Sequence, residues 1–190
     1  MNQKESIAVI VAGGKSSRMG KDKALLPFGG FSSLSEFQYS KLSGLFQHVY
    51  LSTKEEKFGF TANLVFDRMD ESSPLVGIVS IFETLKADEI FLLSVDMPLV
   101  DEAVIRTLQK NNTPQSDAVI AKSPEGIQPL CGLYKKSILP LAYRHLAAGD
   151  HRLQNLLKKV HTHYVAFDSD IPFANLNTPE EYQRALLDFT

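Results

Sequence analysis

Apolar residues follow two rhythms along the chain. Consecutive apolar positions recur in short runs at Ile7 to Ala12, Val49 to Leu51, Leu64 to Phe66, Ile90 to Val95, Ala118 to Ala121 and Tyr164 to Phe167. Such runs have the length and character of strands covered on both faces, as in a parallel sheet. Between them the spacing changes to three and four residues. One stripe holds Leu34, Phe37, Leu42 and Leu45; the next holds Leu75, Ile78, Val79 and Phe82. Val104, Ile105 and Leu108 follow, then Leu153, Leu156, Leu157 and Val160, and finally Tyr182, Ala185, Leu186 and Phe189. These are helix faces. Start signals precede them: Ser33 with Glu36, Ser73 before Pro74, Asp101, and Thr178-Pro179 with Glu181.

Strands alternating with helices predict a three-layer α/β/α fold around a mainly parallel sheet. No repeat or linker-like segment divides residues 1–190, which read as one domain. In open α/β sheets, ligands bind beyond the carboxyl ends of the strands. Chemistry-bearing residues at strand ends are therefore the first candidates for a site.

Composition narrows the choice of partner. The chain is 44% hydrophobic and 22% charged, with a formal net charge of -2. That balance argues against a nucleic-acid or anionic-membrane partner, which would require a basic excess. Cys131 is the single cysteine, so no internal disulfide forms and a reducing compartment is expected. The N-terminal apolar run is too short for a signal peptide, and no run has the length of a membrane span. The expectation is a soluble cytoplasmic protein.

Immediately after the first strand run comes Ala12-Gly13-Gly14-Lys15-Ser16-Ser17-Arg18-Met19-Gly20-Lys21-Asp22-Lys23. A Walker loop needs four residues before its Gly-Lys and then Ser or Thr, and a dinucleotide fingerprint needs Gly-x-Gly-x-x-Gly. The stretch satisfies neither. Its chemistry still suits phosphate: paired glycines permit close backbone approach and positive φ, while Arg18 and Lys23 can neutralise oxyanions.

Two aspartates stand at strand ends. Asp96 follows Phe91-Leu92-Leu93-Ser94-Val95 and precedes Met97-Pro98, where proline stops the strand. A bound triphosphate brings magnesium, which takes one or two carboxylates beside phosphates and water, and Asp96 is the expected protein ligand. Asp67 follows Leu64-Val65-Phe66 and suits the N–H groups of a base such as guanine, although either aspartate could instead cap a turn. Asp168-Ser169-Asp170 has a metal-binding spacing but reads better as a turn. His161 and His163 lack a third ligand for zinc, and Cys131 reads as a buried small hydrophobe.

Taken together these stretches resemble the molybdenum cofactor guanylyltransferases. The similarity runs from Val11-Ala12-Gly13-Gly14 through Arg18-Met19-Gly20-Lys21-Asp22-Lys23 to Asp67, Pro74-Leu75-Val76-Gly77 and Asp96-Met97-Pro98. It continues at Gln128-Pro129-Leu130-Cys131-Gly132-Leu133-Tyr134 and ends at Asn175-Leu176-Asn177-Thr178-Pro179-Glu180-Glu181. The resemblance implies a Rossmann-like sheet of the nucleotide-diphospho-sugar transferase, GT-A-like type. It implies transfer of GMP from GTP to the phosphate of molybdopterin, with release of pyrophosphate and a requirement for Mg2+.

On the same basis, nucleotide contacts fall on Val11, Ala12, Gly13, Lys23, Asp67 and Asp96, with Asp96 on the metal. Arg18, Lys23 and Asp96 would be catalytic, and Asn175 and Asn177 would face the pterin or its phosphate. Transient contact with cofactor-biosynthesis proteins or recipient molybdoenzymes is also implied. The sequence departs from the family at Ser52, where asparagine is usual, and at Gln128, where histidine is common. Two rivals remain open: a nucleotidyltransferase using CTP or a sugar-phosphate acceptor, and a non-catalytic pterin carrier.

Overall fold

The computed structural model describes residues 6–13, 22–69 and 73–187. Seven strands form one sheet: β1 (Ile7–Val11), β2 (His48–Thr53), β3 (Asn63–Phe66), β4 (Glu89–Ser94), β5 (Ala118–Ser123), β6 (Gly126–Lys135) and β7 (Thr162–Ala166). Their order across the sheet is β3-β2-β1-β4-β6-β5-β7. All pairings are parallel except the two made by β6, which runs antiparallel between β4 and β5.

Helices cover both faces, which explains the unbroken apolar runs. Ala8, Ile10, Phe91, Leu93, Val119 and Ala121 point to one core, against Leu34 and Leu42 of α1 (Leu34–Ser43) and Val104 and Leu108 of α3 (Glu102–Lys110). Their neighbours Val9, Ile90, Leu92, Ala118 and Ile120 point to the other, against Leu75, Ile78 and Phe82 of α2 (Pro74–Leu85). Alternation of side chains along a strand divides each run between the two cores. On the second face lie also α4 (Leu139–Ala147) and α5 (Leu153–Leu157), through Ala142, Leu153 and Leu156. The last helix, α6 (Pro179–Leu187), contributes Ala185 to the first core.

The start signals work as expected, with one variation. Ser73 accepts from the Val76 amide, Asp101 from Val104, and Thr178 and Glu181 cap one another reciprocally. Ser33 accepts from Glu36, but the Glu36 carboxylate returns to Ser32 rather than to Ser33. The predicted stripe ending at Val160 is cut short, since α5 stops at Leu157.

The strand that periodicity misses is β6. It carries Gly126, Gln128, Pro129 and Gly132, a composition that argues against a central strand. A bulge accommodates it: register with β5 steps from Ile120–Gly132 to Ala121–Gln128, leaving residues 129–131 without partners on that side. Pro129 falls within this bulge, and the buried Tyr134 hydroxyl donates to its carbonyl at 2.5 Å. Glycine at 132 is a steric requirement, because a Cβ there would stand 2.4 Å from the Val119 carbonyl oxygen.

Candidate active site

The carboxyl ends of β1, β2, β3 and β4 share one edge of the sheet, and the motif residues meet there. After Ser94 the chain turns, with the Met97 amide donating to the Ser94 carbonyl. Asp96 projects from this turn. One carboxylate oxygen accepts from Ser94 Oγ at 2.6 Å and the other from Lys23 Nζ at 3.0 Å. Lys23 Nζ also donates to Asn177 Oδ1 at 3.0 Å. The backbone joins the same residues, since the Leu176 amide donates to the Asp96 carbonyl at 3.0 Å. Asn177 is fixed in turn by Glu181, whose carboxylate accepts its amide at 2.7 Å. Residues 73 and 154 positions distant from Lys23 thus converge on one ammonium.

Helix α1 supports the turn from beneath. Gln38 Nε2 donates to the carbonyls of Ser94 and Val95 at 3.4 and 3.3 Å. One turn later, Lys41 Nζ donates to those of Pro98 and Val100 at 3.0 and 2.7 Å. Burial lowers the Lys41 pKa to about 8, while Cys131 and Asp101 oppose the shift. The fully buried Cys131 thiol is itself pushed up to about 12 by burial, which makes it inert packing rather than a nucleophile.

β1 ends at Val11, and Ala12 and Gly13 follow it. The Ala12 amide donates to the Ser52 carbonyl at 2.9 Å, locking the end of β1 to β2. Gly13 does not use the positive φ expected of it. Among the described residues no atom lies within 4 Å of where its Cβ would stand. Asp67 and Ser52 meet over α2: an atom added at Gly77 would be 3.8 Å from both Asp67 Oδ1 and Ser52 Oγ. Burial raises the Asp67 pKa, and the nearby charge of Lys54 pulls it partly back.

Asn175, Asn177 and Gln128 line a separate cleft of about 440 Å³, closed by Leu99, Phe173 and Arg184. It opens beside the Lys23–Asp96–Asn177 cluster, which shares Asn177 with it. A cavity of similar volume, about 460 Å³, lies at the opposite end of β4 near Ser6, Lys86 and Glu89. None of the candidate site residues lines it, so size alone does not mark the functional pocket.

The MobA-like NTP transferase domain model matches residues 8–165 of the chain. The chain belongs to this family. It is 36% identical over 186 residues to the molybdenum cofactor guanylyltransferase of Campylobacter jejuni subsp. doylei, covering 97% of both chains. It is likewise 36% identical over 183 residues to that of Helicobacter pylori, covering 94% of this chain and 90% of the relative. Among solved structures, molybdopterin-guanine dinucleotide biosynthesis protein A from Archaeoglobus fulgidus superposes with a TM-score of 0.82. At 23% identity over 96% of this chain and 97% of that one, it attests the fold. The protein is a nucleotidyltransferase.

Within this MobA-like nucleotidyltransferase the candidate residues are distributed unevenly. Lys23 contacts both Asp96 and Asn177; Val11, Ala12 and Gly13 stand at the end of β1 and Asp67 directly after β3; Asn175 lines the cleft. Arg18 lies outside the described residues. Asp170 accepts the Glu125 amide at 2.9 Å and Ser169 accepts that of Ile171, so Asp168-Ser169-Asp170 forms a turn. His161 sits 3.6 Å from Asp117, and the described residues include no group of three metal-binding side chains. Sequence reasoning missed Gln38, Lys41, Ser94 and Lys57. The first two occupy i and i+3 on α1, and with the buried Ser35 they form a polar row beside Leu34 and Leu42, a faint signal in the sequence.

The chemistry of the donors fits magnesium. A divalent ion held together with a triphosphate takes as few as one protein carboxylate, and Asp96 presents one to a cation already, the ammonium of Lys23.

Proposed function

We propose that this chain transfers GMP from GTP to the phosphate of molybdopterin, forming molybdopterin guanine dinucleotide. The observation that carries the reading is the convergence of Lys23, Asp96 and Asn177 between the nucleotide edge and the cleft. The names of the relatives supply the substrates.

A phosphate oxygen of molybdopterin attacks the α-phosphorus of GTP. The bond from that phosphorus to the oxygen bridging to the β-phosphate breaks, and pyrophosphate departs with the electron pair. The nucleophile is already an anion, so positioning and charge neutralisation replace a general base. Lys23 neutralises the reacting phosphates, joined by Arg18. Asp96 would hold Mg2+, which supplies Lewis-acid stabilisation of phosphate charge when bound. Asp67 accepts the N–H groups of guanine, while Val11, Ala12 and Gly13 present backbone to the nucleotide. Asn175 and Asn177 orient the acceptor in the cleft.

The 190 residues act as one domain in the cytoplasm, passing product to other cofactor-biosynthesis proteins or to recipient molybdoenzymes. Among the described residues no helix is long and apolar enough to cross a membrane. The deciding experiment measures pyrophosphate release with molybdopterin, Mg2+ and each nucleoside triphosphate in turn. Release with GTP alone is expected; release with CTP instead, or with none, would overturn the assignment.

A further inference from the structure

One side chain joins the two residues that flank the glycine-rich stretch, and no motif announces it. Lys57 lies in the irregular segment between β2 and β3. Its ammonium donates to Asp22 Oδ2 at 2.5 Å and to the Ala12 carbonyl at 3.2 Å. Ala12 directly follows β1, and Asp22 directly precedes the 3-10 turn Lys23–Leu25. The Thr53 hydroxyl donates to the Glu55 carbonyl, and the Phe58 ring lies 5.7 Å from the ammonium.

The consequence passes to Lys23. Asp22 caps the short 3-10 turn Lys23–Leu25, accepting the Ala24 amide through its other oxygen at 3.0 Å. Lys23 opens that turn and reaches Asp96 and Asn177. A carboxylate adjacent to Lys23 in sequence is otherwise a hazard. Unpaired, Asp22 would repel phosphate and compete for the neighbouring ammonium. Both side chains are largely withdrawn from water, at 15% exposure for Lys57 and 30% for Asp22, so screening is incomplete. If anchoring alone were needed, an apolar contact would serve at lower desolvation cost.

We propose that Lys57 is a positioning residue for the nucleotide: it ties Asp22 to Ala12 and neutralises Asp22, so that Lys23 stays directed at Asp96 and the phosphates. The inference rests on the reading of this edge as the GTP site, deepening it without depending on the acceptor.

The test uses the fluorescent analogue mant-GTP with Mg2+, alongside steady-state kinetics on the full chain. Lys57→Met should raise the mant-GTP dissociation constant and the GTP KM at least tenfold, leaving the acceptor KM within twofold. Lys57→Arg should recover most of the loss. Asp22→Asn combined with Lys57→Met should bind mant-GTP more tightly than Lys57→Met alone, because the unpaired carboxylate is gone. An unchanged dissociation constant for Lys57→Met overturns the proposal. So does a double variant no better than the single one, or an equal rise in both KM values. Thermal melts of each variant separate these outcomes from loss of fold, which Lys57→Arg and the double variant are chosen to avoid. Wild-type protein that binds mant-GTP without releasing pyrophosphate would refute the acceptor assignment, while the ratios of dissociation constants would still decide the role of Lys57.

Discussion

The two halves of the sheet's carboxyl edge are built on different principles. From β3 to β4 every pairing is parallel, and the site residues follow strand ends directly: Gly13 after β1, Asp67 after β3, Asp96 just beyond β4. From β4 to β7 the antiparallel β6 intervenes, bulged and carrying proline and glycine; the cleft takes Gln128 from it and most of its remaining lining from the segment before α6 and from Glu181, Arg184 and Ala185 of α6. The first half obeys a general rule of α/β sheets, so its ligand edge is placed by topology. The second is shaped by one local irregularity. Nucleotide binding should therefore be sensitive to individual side chains, and acceptor binding to the backbone of β6.

The largest effect is expected at the junction of the halves. Asp96→Asn should lower turnover by about 10³-fold, as loss of a preorganised transition-state contact does, with little change in melting temperature. Turnover within tenfold of wild type would remove Asp96 from the chemistry.

Beneath the same turn, Lys41 gives a stability signature. Its folded pKa of about 8 lies below the ordinary 10.5. Between those values the unfolded chain keeps a proton that the folded protein has released, so the contribution of Lys41 to stability rises with pH across that window and levels off above it, opposed above pH 9 by the buried Cys131 thiol, which keeps its proton in the folded protein. The gain should reach at most about 3 kcal/mol, and it should disappear in Lys41→Met. Denaturant melts from pH 7 to 10.5 check this; an identical slope in the variant would show that another group is responsible.

Gly132→Ala probes the second half. The close Val119 carbonyl forces a backbone shift, expected to cost about 1–3 kcal/mol and to raise the acceptor KM more than the GTP KM. A selective rise in GTP KM would erase the distinction between the halves. Asp67→Asn tests the first half in the opposite sense: discrimination of GTP over ATP should fall by roughly tenfold to a hundredfold while the acceptor KM holds. The smallest effect is assigned to Asn177→Ala, about a tenfold rise in acceptor KM, read from initial rates at saturating GTP.

The sequence by itself determined most of the frame. Six strands, the helix starts at Ser33, Ser73, Asp101 and Thr178, and the carboxylates at the strand ends are all legible. They depend on local periodicity, short-range capping and the fixed polarity of a parallel sheet. Through its resemblance to one family, the sequence also led to the guanylyltransferase reading that the relatives support.

The tertiary structure decided the rest. It revealed β6, whose Pro129 and Gly132 conceal a strand until the bulge and the Tyr134 hydroxyl are seen to accommodate them. It also showed that Lys23 meets Asp96 and Asn177, that α1 holds the Asp96 turn, and that Lys57 ties Ala12 to Asp22. Each of these is a contact between residues far apart in the chain, set by strand order and helix placement. Local pattern encodes an element's type; which distant side chain will satisfy a given carbonyl or carboxylate is fixed only when the layers pack.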